Sequence, residues 1–450
     1  MLLPVLSGNP AVPETTMSDS EQVYVGHVTE LGETRAVVAA EDIHNQQGAK
    51  VVARGARIDR STFERLVRHK LLRPIDHSVE VEDGVHVGTL VKAARSLIDS
   101  EPQVQLMLGM LRDPEAPIRA LGRVRLEAPF AIKLTVARER LPGLFTHSLK
   151  VAIGAAIFGQ VFRLDAEDLG ALATAGLFHD IGELHIEPVV FDRDHVLTAD
   201  ERRQLFAHPA IAYAMLAQFP AYHPRVSRAV LEHHERADGS GYPNALRDGA
   251  ISPLGRLLAL SEVAAGVCDR KDCGYFDVLL RFDAERYGGD LVQPLLAVLR
   301  QAERPCALPR PTVDSSCLHA MAAALEECLT AWPAAGTSDE ARQPADDASQ
   351  LVCERLASLQ RGLGRVGLAS DGQLRLGSLE DLSGADLGEL EVLLRESLFR
   401  LREIGHELRR RWPQIGSEPA AASEWLRRTE PRISEALARA PVAEPPAAAA

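Results

Sequence analysis

The block His233-His234-Glu235-Arg236-Ala237-Asp238-Gly239-Ser240-Gly241-Tyr242-Pro243 runs two adjacent imidazoles into a glycine-rich turn that Tyr-Pro closes. Eight of the chain's fifteen histidines fall between His147 and His234, His179-Asp180 and His208-Pro209 among them. A hydrophobic core has little use for so many imidazoles, whereas a transition-metal site with nitrogen and carboxylate ligands needs them. Glu262 adds a carboxylate inside an otherwise apolar run, Leu254 to Val267. Buried there without a partner it would be strongly unfavourable, and a metal ion would supply the partner. An isolated His-Asp pair is structural more often than not. Its ordered companions point instead to a metallohydrolase, or to the relic of one.

Helices must position these groups. The pattern predicts them over 144–162, 167–181, 199–218, 222–235 and 253–268. His147 then opens the first, His179-Asp180 ends the second, His208 sits in the third and His233-His234 end the fourth. Thr198 to Glu201 reads as a capping box, and Ser252-Pro253 as an N-cap followed by proline at the first helical position. In the glycine turn, Gly239 and Gly241 allow backbone angles closed to other residues and Pro243 stiffens the exit. Such a turn can hold the preceding helix or touch a substrate, and the spacing leaves both roles open.

Taken together, these residues resemble the HD-GYP subgroup of the HD-domain metal-dependent phosphohydrolases. The matching elements are His147, His179-Asp180-Ile181-Gly182, His208-Pro209, the complete HHExxDGxGYP signature at 233–243 and the Tyr287 to Val292 segment. The resemblance covers about 125–300. It implies hydrolysis of cyclic di-GMP to pGpG or GMP with two or three iron or manganese ions. It implies one metal on His147, His179, Asp180 and Glu262, and a second on His208, His233 and His234, with Asp180 bridging. Paired cations lower the pKa of a water for in-line attack and neutralise charge on the phosphate oxygens. Gly241, Tyr242 and Pro243 become substrate-contact candidates.

Three departures bear on activity. Where the family carries a lysine near the substrate phosphate, this chain has Glu183, which places an anion in the catalytic neighbourhood beside Asp180. That exchange costs ~1–4 kcal/mol at an effective dielectric of 20 to 80. The usual aspartate at the last metal position is Glu262, one methylene longer. The family's basic stretch is reduced to Arg270-Lys271-Asp272-Cys273, leaving Arg270 and Lys271 as the phosphate-binding candidates. Gly143 and Pro188 stand where trinuclear members carry further acidic ligands, so two metal ions, Fe or Mn, are expected. His185, His195 and His223 read as loop or surface residues.

The rest of the chain sets the frame. With 450 residues, 46% hydrophobic and 25% charged, it is an ordinary globular composition large enough for two or three domains. A net charge of −13 argues against nucleic acid or an anionic membrane as the main partner. The six cysteines form no CxxC pair, which excludes a zinc ribbon and fits a reducing cytoplasm. No apolar run is read as a membrane span and no signal peptide is evident. Met17 reads as an alternative start.

The expected fold is mainly α. It comprises a disordered leader (1–20), a small α+β domain (21–95), an all-helical HD-type domain (100–302), a linker (303–315), a helical C-terminal region (316–414) and a disordered tail (415–450). In the α+β domain, strands are expected at 23–25, 36–40 and 50–55, a helix over 61–72 capped by Ser61, and a hairpin of 79–81 with 85–87 around Asp83-Gly84. Further helices are expected near 316–331, 348–362 and 384–412. In the last of these Leu387, Leu394, Leu401 and Leu408 recur every seven residues. That stripe fits a helix packed on its own protein better than a dimer seam. Two functions of different class follow: a cyclic di-GMP phosphodiesterase, or a catalytically weak receptor or scaffold. Signalling through the GYP loop or the C-terminal helix, and a homodimer, are the partner expectations.

Overall fold

The computed structural model describes residues 17–109, 111–192, 195–269, 273–301, 310–332, 346–370, 373–375, 379–415 and 420–440. The fold is mainly α, and the described chain divides into two compact units. The first takes residues 1–97, 115–159 and 164–233; the second takes 98–114, 160–163 and 234–450.

The first unit opens with α1 (Asp19–Leu31), β1 (Val37–Ala39), β2 (Ile43–His44), β3 (Lys50–Val52), α2 (Arg60–Val67), β4 (Val79–Val81) and α3 (Val87–Ser100). The short α4 (Pro102–Leu108) belongs to the second unit. The first unit resumes with α5 (Ala116–Leu121), α6 (Ala128–Arg140), α7 (Pro142–Val161), α8 (Ala166–Phe178), α9 (Ala199–Ala217) and α10 (Pro224–Glu232).

Val23-Tyr24-Val25, expected as a strand, lies inside α1. Glu21 accepts a hydrogen bond from the Ser18 backbone at 3.2 Å, and Tyr24, Val28 and Leu31 are buried one helical turn apart. A capped end and a helical apolar face outweigh the β preference of Val and Tyr. Asp59, not Ser61, caps α2, accepting from the Ser61 amide at 3.0 Å. β4 pairs antiparallel with β1, Val37 opposite Val81 and Ala39 opposite Val79, rather than with 85–87, where Val87 already opens α3.

The core of this unit is built by α7, α8, α9 and α10. Phe130 packs on Phe178 at 4.8 Å and edge-on to Tyr222 at 5.2 Å between ring centroids. Helix α7 is long and apolar enough by composition to cross a membrane, contrary to the sequence expectation, but 72% of that window is buried inside the fold. The Thr198–Glu201 capping box opens α9 as expected, with the Glu201 carboxylate 2.7 Å from the Thr198 amide.

The second unit continues with α11 (Pro253–Asp269), α12 (Cys273–Phe282), α13 (Ala284–Tyr287), α14 (Gly289–Gln301), α15 (Ser315–Thr330), α16 (Asp347–Arg365), the β5–β6 hairpin (Ala369–Ser370, Gln373–Leu374), α17 (Gly384–Arg411) and α18 (Ala421–Arg439). In α17, Leu394, Leu401 and Leu408 are buried inside the unit, where the helix packs on α12, α15, α16 and α18. Helix α18 lies in the stretch expected as a disordered tail. Trp425 is 1% exposed and donates to the Cys328 carbonyl at 3.1 Å, which fixes the helix on α15. The leader 1–16 and most of the linker lie outside the described residues.

Candidate metal centre

Asp180 is the focus of the first unit's site. It follows His179, the residue that ends α8, and opens a 3-10 turn over Ile181–His185. Gly182 in that turn is a steric requirement. A Cβ there would lie 2.4 Å from the His208 carbonyl oxygen, so only glycine lets the turn approach α9. The approach brings His208, in mid-α9, up to Asp180. Helix α10 ends at Glu232 and hands over His233. His147, in α7, completes the group.

Four imidazoles surround the one carboxylate. Nε2 of His179 lies 2.8 Å from Asp180 Oδ2, His147 Nε2 3.7 Å from the same oxygen, and His208 and His233 Nε2 lie 3.2 and 3.4 Å from Oδ1. His208 and His233 stand 3.3 Å apart, Nε2 to Nε2. All but His147 are buried, and its side chain is only 16% exposed.

The tautomers follow from the other ring nitrogen. Nδ1 of His179 lies 2.9 Å from the Gly176 carbonyl, that of His208 2.7 Å from Leu205, and that of His233 2.6 Å from Val230. A carbonyl can only accept, so each Nδ1 carries the proton and each neutral ring turns its Nε2 lone pair toward the carboxylate. Lone pairs facing a carboxylate, and each other, at 2.8 to 3.4 Å repel unless a cation lies among them. Protonating one imidazole would relieve one contact only. Burial pushes His233 down to about 4, so it is not a second imidazolium at neutral pH. Backbone carbonyls that fix the outer ring nitrogen are what metal-ligating histidines have. Ligand atoms of His147, His179 and Asp180, and of Asp180, His208 and His233, lie within 4.8 Å of one another. The donor set fits a divalent transition metal.

Glu183, in the same 3-10 turn, is part-buried, and its amide donates to the Asp180 carbonyl at 2.9 Å. Of the remaining sequence candidates, His234 and Glu262 belong to the second unit, both buried, Glu262 in α11. Arg270 and Lys271 lie outside the described residues. His195 pairs with Glu201 at 2.9 Å, and His223 caps α10, its Nδ1 accepting from the Arg225 amide at 3.2 Å.

The GYP loop of the second unit is a locked structure. His234 stacks on Tyr242 at 4.5 Å and 18°. The Glu235 carboxylate accepts from the amides of Asn244 at 2.6 Å and Leu246 at 2.8 Å, so the third residue of the signature ties down the loop's far side. Asp238 accepts from the Ser240 amide and hydroxyl at 3.0 and 2.6 Å. Burial raises its carboxyl, and Arg286 and Arg355 bring it down to about 2. Gly239 has a φ of 76°, as a left-handed turn requires, whereas Gly241 is needed for space: a Cβ there would meet the His234 carbonyl at 2.4 Å.

Residues that sequence reasoning did not single out hold this loop. Arg355 of α16 donates to the Asp238 and Gly239 carbonyls at 2.9 and 2.7 Å and forms a two-pronged, buried ion pair with Glu407 of α17. Arg411 and Arg410 donate to Gly239 and Gly241 at 3.2 and 3.1 Å, and the Arg410 guanidinium lies over the Tyr242 ring. The loop and the C-terminal helix, each expected as a partner surface, grip one another. Only the run of arginines ending α17 could have hinted at this.

The family profile for the HD domain matches residues 134–264. The cyclic di-GMP phosphodiesterase response regulator RpfG of Xanthomonas campestris pv. campestris is 33% identical over 110 residues, 24% of this chain and 29% of that protein. The cyclic di-GMP phosphodiesterase PA4108 of Pseudomonas aeruginosa is 30% identical over 132 residues, 29% of this chain and 32% of that one. The 3'3'-cGAMP-specific phosphodiesterase 3 of Vibrio cholerae is 28% identical over 117 residues, 26% of this chain and 25% of that one. The chain thus spans a quarter to a third of the length of these relatives. A solved structure, that of the HDG"Y"P protein Bd1817 from Bdellovibrio bacteriovorus, overlays with a TM-score of 0.31 at 13% identity, covering 60% of this chain and 98% of that one. Over residues 134–264 the chain is thus similar to the HD domain family, and the signature at 233–243 is the segment in which it resembles the HD-GYP subgroup.

Proposed function

We propose that the chain is a metal-dependent phosphodiesterase acting on a cyclic dinucleotide, cyclic di-GMP first, in bacterial second-messenger signalling in the cytoplasm. One observation carries the metal half of this reading: three imidazole lone pairs converge on the Asp180 carboxylate. The substrate half rests on the relatives' names, two of them cyclic di-GMP and one 3'3'-cGAMP phosphodiesterases. Asp180 is read as the bridging ligand, with His147 and His179 on one ion and His208 and His233 on the other. Fe or Mn suits this nitrogen and carboxylate set. Bound ions of this kind supply Lewis-acid charge and acidify water for attack on phosphorus. The protein's own part is to fix ring orientation through Gly176, Leu205 and Val230, and to exclude bulk water by burial.

A second reading, a receptor that binds the dinucleotide with little turnover, is favoured by Glu183. It puts a carboxylate one turn from Asp180, where the family's lysine would face phosphate. The test is turnover of cyclic di-GMP by the Fe- or Mn-loaded full chain beside Asp180→Ala and Glu183→Lys. The phosphodiesterase reading expects turnover by wild type and its loss in Asp180→Ala. A silent wild type with turnover gained in Glu183→Lys selects the receptor. Turnover unchanged by Asp180→Ala overturns the metal assignment.

A further inference from the structure

The 3-10 turn Ile181–His185 that follows Asp180 is short, and such turns close poorer hydrogen bonds than an α-helix. It needs support from outside. Its near end is joined to α8 through His179, and its middle rests on the His208 carbonyl at Gly182. Helices α1 and α6 also pack on the turn, and they reach its far end at His185.

His185 is tied on three sides. Its ring stacks on Tyr24 of α1 at 4.8 Å and 24°. Its Nε2 lies 3.4 Å from Nζ of Lys133 in α6, and the ring also bonds the backbone of Ser20, at the start of α1. Lys133 is held in turn: its Nζ pairs with Asp76 Oδ2 at 2.8 Å, both side chains buried, and sits 3.7 Å from the centre of the Tyr24 ring. An ammonium can only donate, so Nε2 of His185 accepts and the ring proton is on Nδ1. Burial, with Lys133 second, keeps this imidazole well below its ordinary pKa, which agrees with a neutral ring. Ser20, Tyr24 and Asp76 from the N-terminal part of the unit, with Lys133, thus all bear on the end of the turn that begins beside Asp180.

We infer that His185 is a positioning residue for the metal centre: through the turn it holds the Asp180 carboxylate where four imidazoles can share it. Metal affinity then depends on residues of α1 that supply no ligand. Linkage makes the dependence mutual, so a bound ion steadies α1 on the turn. This role rests on the metal reading of Asp180 proposed above.

The test is the Mn²⁺ affinity of the full chain, by calorimetry, for wild type, His185→Leu and His185→Gln. Leucine keeps an apolar contact with Tyr24 but removes the acceptor. His185→Leu should bind Mn²⁺ about tenfold more weakly, the low end for residues that support metal ligands. Glutamine can offer its amide oxygen to Lys133, so His185→Gln should return to within about threefold of wild type. A residue that only fills space would show no such rescue, because leucine fills it as well. Wild type alone supplies the reciprocal readout: saturating Mn²⁺ should slow amide exchange over 20–31 at least about fivefold. Mn²⁺ bound as tightly by His185→Leu as by wild type, no recovery in His185→Gln, or exchange in α1 unchanged by bound Mn²⁺ overturns the positioning role alone. A wild type that binds no Mn²⁺ defeats the metal reading, and the positioning role with it.

Discussion

Arg355→Met should loosen the GYP loop and destabilise the second unit together. The guanidinium makes four charge-assisted bonds: to Glu407 at 2.8 and 2.9 Å, to the Asp238 carbonyl at 2.9 Å and to the Gly239 carbonyl at 2.7 Å. Both side chains of the pair are near 5% exposed, at 6% and 5%. Breaking a buried pair by removing one member costs about 3–5 kcal/mol. Here Arg411 still reaches Glu407 at 2.6 Å, so the low end, about 3 kcal/mol, is expected. All three tryptophans, at 332, 412 and 425, lie in this unit, so urea unfolding followed by tryptophan fluorescence reads it directly. Adding Glu407→Leu removes the stranded carboxylate and should recover at least about 1 kcal/mol. In both variants the Asp238 carbonyl loses the Arg355 donor and the Gly239 carbonyl keeps only Arg411, so amide exchange over 237–246 should be faster in each. A loss under about 1 kcal/mol, or loop exchange unchanged from wild type, would refute the clamp.

Two further outcomes are expected. Gly182→Ala puts a Cβ at 2.4 Å from the His208 carbonyl; moving the turn away from α9 should weaken Mn²⁺ binding at least about tenfold, at a cost of more than about 1.4 kcal/mol, as calorimetry would show. Glu396 of α17 is pushed up from 4.5 to about 7 by burial first and then by Asp283, with Arg286 opposing. Between those values the native state holds a proton that the unfolded state has released, so stability contributed here falls as pH rises from 4.5 to 7. Glu396→Gln should remove that slope in urea unfolding measured from pH 5 to 8, and a slope identical to wild type would contradict the assignment.

The candidate ligand residues were legible because each is a chemically distinctive side chain, and those at helix ends lie where caps and apolar period mark the boundary. His179 and His233 are the clearest cases, each following the last residue of its helix. What was not legible depends on distance or on conflicting local signals. Arg355 meets the loop across 116 and 117 residues of chain, and no local pattern encodes such a pairing. Tyr24 and Val25 carry a β preference that the cap at Ser18 overrode. In α18 an Ala- and Pro-rich composition concealed the buried face of Trp425, Leu426 and Ile433. His185 read as a surface residue, although its ring stacks on Tyr24, because its partners come from α1 and α6.

The most direct test of the central claim is the metal content of the full chain loaded anaerobically with Fe²⁺ or Mn²⁺ and freed of loose ions. Convergence of the histidine lone pairs on Asp180 predicts two ions per chain in wild type and fewer than one in Asp180→Ala, with correctly folded protein in both. Well under one ion per chain in wild type, or an unchanged content in Asp180→Ala, would contradict the account.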